Sequence, residues 1–214
     1  MDSENASALV VEALAPKRKR GRDRVAAILA SATTLFADKD YEAVTMTEIA
    51  AQSSTAIGSL YRFFPTKDVL VAALVERYGA TLAEALAEIV GRAPHLSAGE
   101  MADALVAMGD SLRAQRSVTL KLIDVPSDSP LRRQHLRETF KDGLARILSG
   151  YSHTTFGAED APVLLLLGLL KSVWSFEAET EERRQAYGQE ARRMIESYLA
   201  GLSGEPGDGQ PRQP

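Results

Sequence analysis

Apolar residues spaced three and four positions apart recur from one end of this chain to the other, and no segment sustains a period of two. A strand shows alternate residues to each face, whereas a helix returns to one face every 3.6 residues, so this pattern predicts an all-α fold. In "RDRVAAILASATTLFADKD", Val25, Ile28, Leu29, Ala32, Leu35 and Phe36 paint one such stripe. A longer one, Leu70, Leu74, Tyr78, Leu82, Leu86 and Ile89, starts after Thr66 and Asp68 and runs to the Gly/Pro/Ser break "GRAPHLSAG". Beyond "MADALVAMGDSLRAQ", the apolar piece near "VTLKLID" and the loop "VPSDSP", Pro130 suits the first turn of another helix. Its buried side is predicted as Leu131, Leu136, Phe140, Leu144, Ile147 and Leu148.

The 214 residues, 45% hydrophobic, suffice for one or two domains with a proper core. The longest apolar run, "APVLLLLGLL", stops at Lys171, too short to span a membrane. The opening "MDSENASALVVEALAPKRKR" is acidic where a secretory signal is basic, so the chain is read as cytoplasmic. With no cysteine, disulfides, thiolate zinc sites and cysteine nucleophiles are excluded together. The net charge of -4 argues against nucleic acid as a partner until its distribution is considered. From Pro16 to Lys67, nine cations face five anions, a local +4, so the remainder carries -8. Charges farther apart than about 8 to 10 Å are screened, so the local field is what a phosphate backbone meets.

Within that basic segment lie two short helices. Thr45 followed by Glu48 has capping-box spacing and opens "TMTEIAAQS", with Ile49 and Ala50 facing inward. A polar turn from Ser53 to Ala56 leads to a second, Ile57 to about Arg62, stopped by Pro65. One long helix followed by two short ones is the layout of a helix-turn-helix, whose last helix enters a groove about 12 Å wide. Ile57, Leu60 and Phe64 are predicted to pin that helix to the core. Gly58 costs about 1 kcal/mol relative to Ala inside a helix, which close approach to a backbone or a base edge would explain.

The stretch "TMTEIAAQSSTAIGSLYRFFPTKDVL" resembles the DNA-binding signature of TetR-type transcriptional regulators. The matching positions are Thr45, Ile49, Ala50, Gly58, Ser59, Leu60, Tyr61, Phe64, Pro65 and Lys67, within a similarity covering about residues 22 to 70. Ser54, Thr55, Ala56 and Ile57 stand where the family commonly carries Gly-Val-Ser-Lys. The resemblance implies a flexible basic arm (1–20), a helix-turn-helix DNA-binding domain (21–66), a larger helical effector-binding and dimerisation domain (67–202) and a disordered tail (203–214). It places phosphate contacts at Thr45, Thr47, Tyr61 and Lys67, and base reading at Thr55, Ala56, Ile57, Gly58, Ser59 and Arg62. The arm residues Lys17, Arg18, Lys19, Arg20 and Arg22 would lie along the adjacent minor groove.

The same resemblance implies a homodimer through the last two helices, a palindromic operator in double-stranded DNA and a small-molecule effector. Composition agrees with the dimer: "APVLLLLGLLKSVWSFEAE" is apolar around nearly its whole circumference, and the final helix offers Tyr187, Ala191, Met194, Ile195, Tyr198, Leu199 and Leu202 as a matching stripe. Met101, Leu105, Met108, Leu112, Phe140, Trp174 and Phe176 are large, adaptable candidates for lining an effector cavity, or are plain core. The rival is a helical enzyme or a small-molecule binding protein without DNA function. His95, His135 and His153 are far apart in the chain, with no HExxH, metal-ligand spacing or GxSxG elbow, so no catalytic residue, metal or cofactor is assigned. A nuclear import role for "PKRKRGR" is less economical than DNA contact beside a helix-turn-helix.

Overall fold

The computed structural model describes residues 19–125, 129–176 and 180–202. Lys17 and Arg18, like the 203–214 tail, lie outside the described residues. Among those described, nine α-helices and one short 3-10 turn account for all the regular structure. The chain divides into two compact units, the first holding the residues up to Tyr78 together with 115–132 and the second 79–114 together with residues from Arg133 onward.

In the first unit, α1 (Lys19–Asp38), α2 (Met46–Gln52) and α3 (Ile57–Phe63) are followed by the first half of α4 (Lys67–Arg92) and most of α6 (Arg113–Leu122). Ile28, Leu29, Ala32 and Phe36 on α1 meet Ile49 and Ala50 on α2, Leu60, Phe63 and Phe64 around α3, and Leu70, Val71 and Leu74 on α4 in one core. Each such large side chain contributes about 1.5–3 kcal/mol on burial. Val118 and Leu122 of α6 complete that core, so the unit is larger than the 21–66 span expected from sequence. Lys19 and Arg20, assigned to a flexible arm, already belong to the first turn of α1.

The second unit contains the remainder of α4, α5 (Ala98–Ser111), α7 (Ser129–Ser152, but for its first four residues), α8 (Ala161–Ser175) and α9 (Glu181–Leu202). Ser97 and Glu100 form a capping box that starts α5, and those hydrogen bonds hold the Glu100 carboxyl below its ordinary range. Arg192 of α9 forks onto Asp103 of α5 and pairs with Glu196 one turn on, at 2.6 Å. Gly109 has a steric reason: a Cβ there would lie 1.8 Å from Trp174 Nε1, so α5 accepts the indole only without a side chain. That indole stacks on Phe140 at 5.2 Å. The buried side of α7 is Phe140, Leu144, Ile147 and Leu148, while Leu131 is 70% exposed, contrary to expectation. The apolar stripe begins one turn or more into the helix, where α7 gains neighbours.

Candidate nucleic-acid interface

The geometry of α2 and α3 is set by short-range chemistry. Thr45 is the N-cap of α2: its hydroxyl accepts from the Glu48 amide at 3.2 Å, while Glu48 accepts from the Thr45 amide at 2.9 Å. Lys39 pairs with the same carboxylate at 2.9 Å, and with the cap it pulls the Glu48 carboxyl down to about 2. At the far end, Ser53 closes α2 with its amide on the Ile49 carbonyl at 2.9 Å. Ser54 then adopts φ 50, the left-handed conformation in which the family commonly places glycine. The chain thus keeps the turn and carries its strain. Thr55 donates its amide to Ala50 at 2.9 Å and its hydroxyl to Ser53 at 3.3 Å.

These contacts decide which candidate residues face outward. Leu60, Phe63 and Phe64 are buried, so α3 is pinned by Phe63 rather than by Ile57, which is 41% exposed. Ala56, Ile57, Gly58, Tyr61 and Arg62 share the exposed side, joined at the start of α2 by Thr45 and Thr47. Among the described residues, no atom beyond the adjoining residues and the local helix backbone lies within 4 Å of a Cβ added to Gly58, so no packing neighbour demands a glycine there. Thr55 is 8% exposed and turned into the bend, which removes it from the surface group. Ser59 is half-buried and accepts from Arg24 Nη1 at 3.3 Å. Arg24 thereby ties α1 to α3. Sequence reasoning counts it only towards the basic charge, because its partner lies 35 positions away.

Lys67 takes a different part from the phosphate contact expected of it. Its ammonium donates to the carbonyls of Tyr41 at 2.6 Å and Val44 at 2.9 Å, and sits 4.0 Å from the Tyr41 ring centroid. The charge therefore closes the α1–α2 connection from inside the unit. Tyr41 in turn stacks on Phe36 and donates its hydroxyl to Asp68; burial first, then that carboxylate, push the phenol well above its ordinary range. Lys19, Arg20 and Arg22 stand exposed in the first turn of α1, which carries no acidic residue.

Against known proteins, residues 28–74 match bacterial regulatory proteins of the tetR family. This segment is a tetR-family domain. Over 83 residues the chain is 42% identical to the HTH-type transcriptional repressor Rv3405c of Mycobacterium tuberculosis, covering 36% of this chain and 44% of that protein. The regulator Mb3439c of Mycobacterium bovis gives the same figures, so the chain spans less than half the length of the curated relatives it matches. The likeness in fold extends further. AibR in complex with isovaleryl coenzyme A and operator DNA superposes with a TM-score of 0.59 at 18% identity, over 80% of this chain and 97% of that one. The SmeT–triclosan complex reaches 0.61 at 15% identity, over 90% and 100%. These two likenesses concern the fold.

Outside residues 28–74, the candidate effector residues lie on or beside α5, α7 and α8, and of these Phe140 and Trp174 stack on each other. Met101, Leu105, Met108 and Leu112 are buried on or just after α5, Phe140 is buried on α7, Trp174 is half-buried, and Phe176 is 38% exposed and stacks on Tyr187 at 3.7 Å. None of them lines the cavity found in the first unit, whose walls are α1, α4 and α6. Among the described residues no cluster of His, Asp and Glu is arranged to hold a metal, and no helix is long and apolar enough to cross a membrane.

Proposed function

We propose that the chain is a sequence-specific DNA-binding transcriptional regulator, a repressor that binds a palindromic operator as a homodimer and is released by a small-molecule effector. The observation that carries this reading is the outward face of α3. A seven-residue helix, braced by a capped neighbour, exposes Ala56, Ile57, Gly58, Tyr61 and Arg62 while its other side is buried. Arg62 suits a guanine edge, Ile57 and Ala56 a thymine methyl, and Tyr61 with Thr45 and Thr47 the flanking phosphates. Gly58 leaves room for a base pair where the protein itself requires none. At the start of α1, Lys19, Arg20 and Arg22 crowd the positive end of the helix, and its first turn holds no acid. Duplex phosphates supply that missing charge, and Lys17 and Arg18 extend the same basic segment.

One α3 reads too few bases for a useful site, and two related by symmetry read a palindrome. For the dimer, support comes from α8 and α9: Leu165 is 63% and Met194 55% exposed on helices whose other sides are buried. The AibR and SmeT complexes, with isovaleryl coenzyme A and triclosan, support an organic effector for this chain too, and Met101, Leu105, Met108, Leu112, Phe140, Trp174 and Phe176 are the residues proposed to meet it. Selection from random duplexes, followed by salt-dependent gel shifts and sedimentation, tests the reading. The expected result is a dimer that enriches a two-fold symmetric sequence. A monomer without preference among duplexes at moderate ionic strength overturns it.

A further inference from the structure

The first unit contains a cavity of about 200 Å³ between α1, α4 and α6. Its polar wall is made by Thr33, Arg77, Tyr78, Gln115 and Thr119, its apolar wall by Ala30, Leu74 and Val118. We propose that this cavity is a binding site for a small organic monocarboxylate with a compact apolar body, distinct from the effector region of the second unit.

Size, charge and hydrogen-bonding character each narrow the occupant. Drug-sized ligands occupy about 300–1,000 Å³, so this cavity suits a smaller molecule. The lining holds a guanidinium and no carboxylate. Arg77 Nη1 donates to the Ala26 carbonyl at 3.4 Å, which fastens the guanidinium to α1 beside the opening. Burial raises the Tyr78 phenol above its ordinary range, so it stays protonated and donates, and Arg116 adds positive field next to it. The amide of Gln115 and the hydroxyl of the buried Thr119 are further donors. Thr33 spends its proton on the Leu29 carbonyl at 2.8 Å and is left to accept. A carboxylate uses such donors with charge-assisted strength, whereas a cation meets like charge and a neutral hydrocarbon makes no use of the Tyr78, Gln115 and Thr119 donors. Leu74 and Val118 belong to the core of the unit, so the apolar body continues a surface already dry.

The test uses the full chain and 4-fluorobenzoate, followed by 19F NMR, with 4-fluorobenzamide as the uncharged control and no DNA present. Arg77→Gln removes the charge and Ala30→Leu narrows the cavity from its exposed rim; neither residue belongs to the buried core, and thermal melts establish that both variants fold. The expected result is saturable binding of the acid, weakened at least about tenfold by each substitution and in the amide. Failure to bind at millimolar concentration, equal binding of acid and amide, or binding indifferent to both substitutions overturns the proposal. The last outcome locates the ligand elsewhere, for instance in the second unit, and leaves the operator reading untouched.

Discussion

Lys67 shows how much a single side chain's direction matters. With two carbonyls and an aromatic face as its partners, it is a brace rather than a free phosphate ligand. Hydrogen bonds from a charged group contribute about 1.5–3 kcal/mol each, so Lys67→Met is expected to lower unfolding free energy by about that much in urea denaturation. The salt dependence of DNA binding is expected to keep its slope, since no phosphate neutralisation is lost. Ser54 makes the opposite case, a residue whose replacement relieves strain. Because a left-handed non-glycine residue costs about 1–2 kcal/mol, Ser54→Gly is expected to raise the melting temperature without altering α2 or α3. An unchanged or lowered melting temperature contradicts the strained turn.

Among the elements, α2 depends on its first turn. Glu48 has its carboxyl held at about 2, below its ordinary 4.5, by Lys39 and by the Thr45 cap. A depressed carboxylate stabilises the fold fully above the unfolded value and loses that contribution as pH falls through the folded value. Glu48→Gln keeps cap geometry but removes the charge. Wild type is therefore expected to exceed the variant in stability at neutral pH, with the difference shrinking below 4.5 and closing near 2, as followed by helical circular dichroism. A gap that persists at pH 2 assigns the loss to the cap alone. The boundaries of α2 and α3 were legible in the sequence because capping residues and Pro65 act within four positions. Ile57 and Phe63 were harder to place: both are large apolar residues of the same short helix, and only the core contributed by α1 and α4 selects which is buried.

For the molecule as a whole, the exposed apolar face of α8 and α9 is the surface that the proposed dimer buries. Leu165→Glu puts a charge in the proposed seam between copies, and burying an unpaired carboxylate is prohibitive. The variant is expected to sediment as a monomer with its helicity intact, and to lose binding to the full palindrome. A dimer that survives this change contradicts the α8–α9 interface. Residues 115–132 joined the first unit for a comparable long-range reason. Val118 and Leu122 fill the helix-turn-helix core, and Lys121 donates to the Ala37 carbonyl at 3.4 Å across 84 positions.

By itself the sequence determined the all-α character, the capped α2, the turn, the short α3 and the tetR-like signature. Each rests on backbone sterics, on the 3.6-residue repeat or on hydrogen bonds that close within a few positions. Tertiary structure alone decided that Thr55 and Lys67 turn inward, that Ile57 turns outward, that Arg24 holds Ser59, and that α6 closes a small cavity against α1 and α4. Those outcomes depend on partners brought together from distant positions, as with the carbonyls 23 and 26 residues before Lys67, and no local pattern encodes which of them a long side chain will meet.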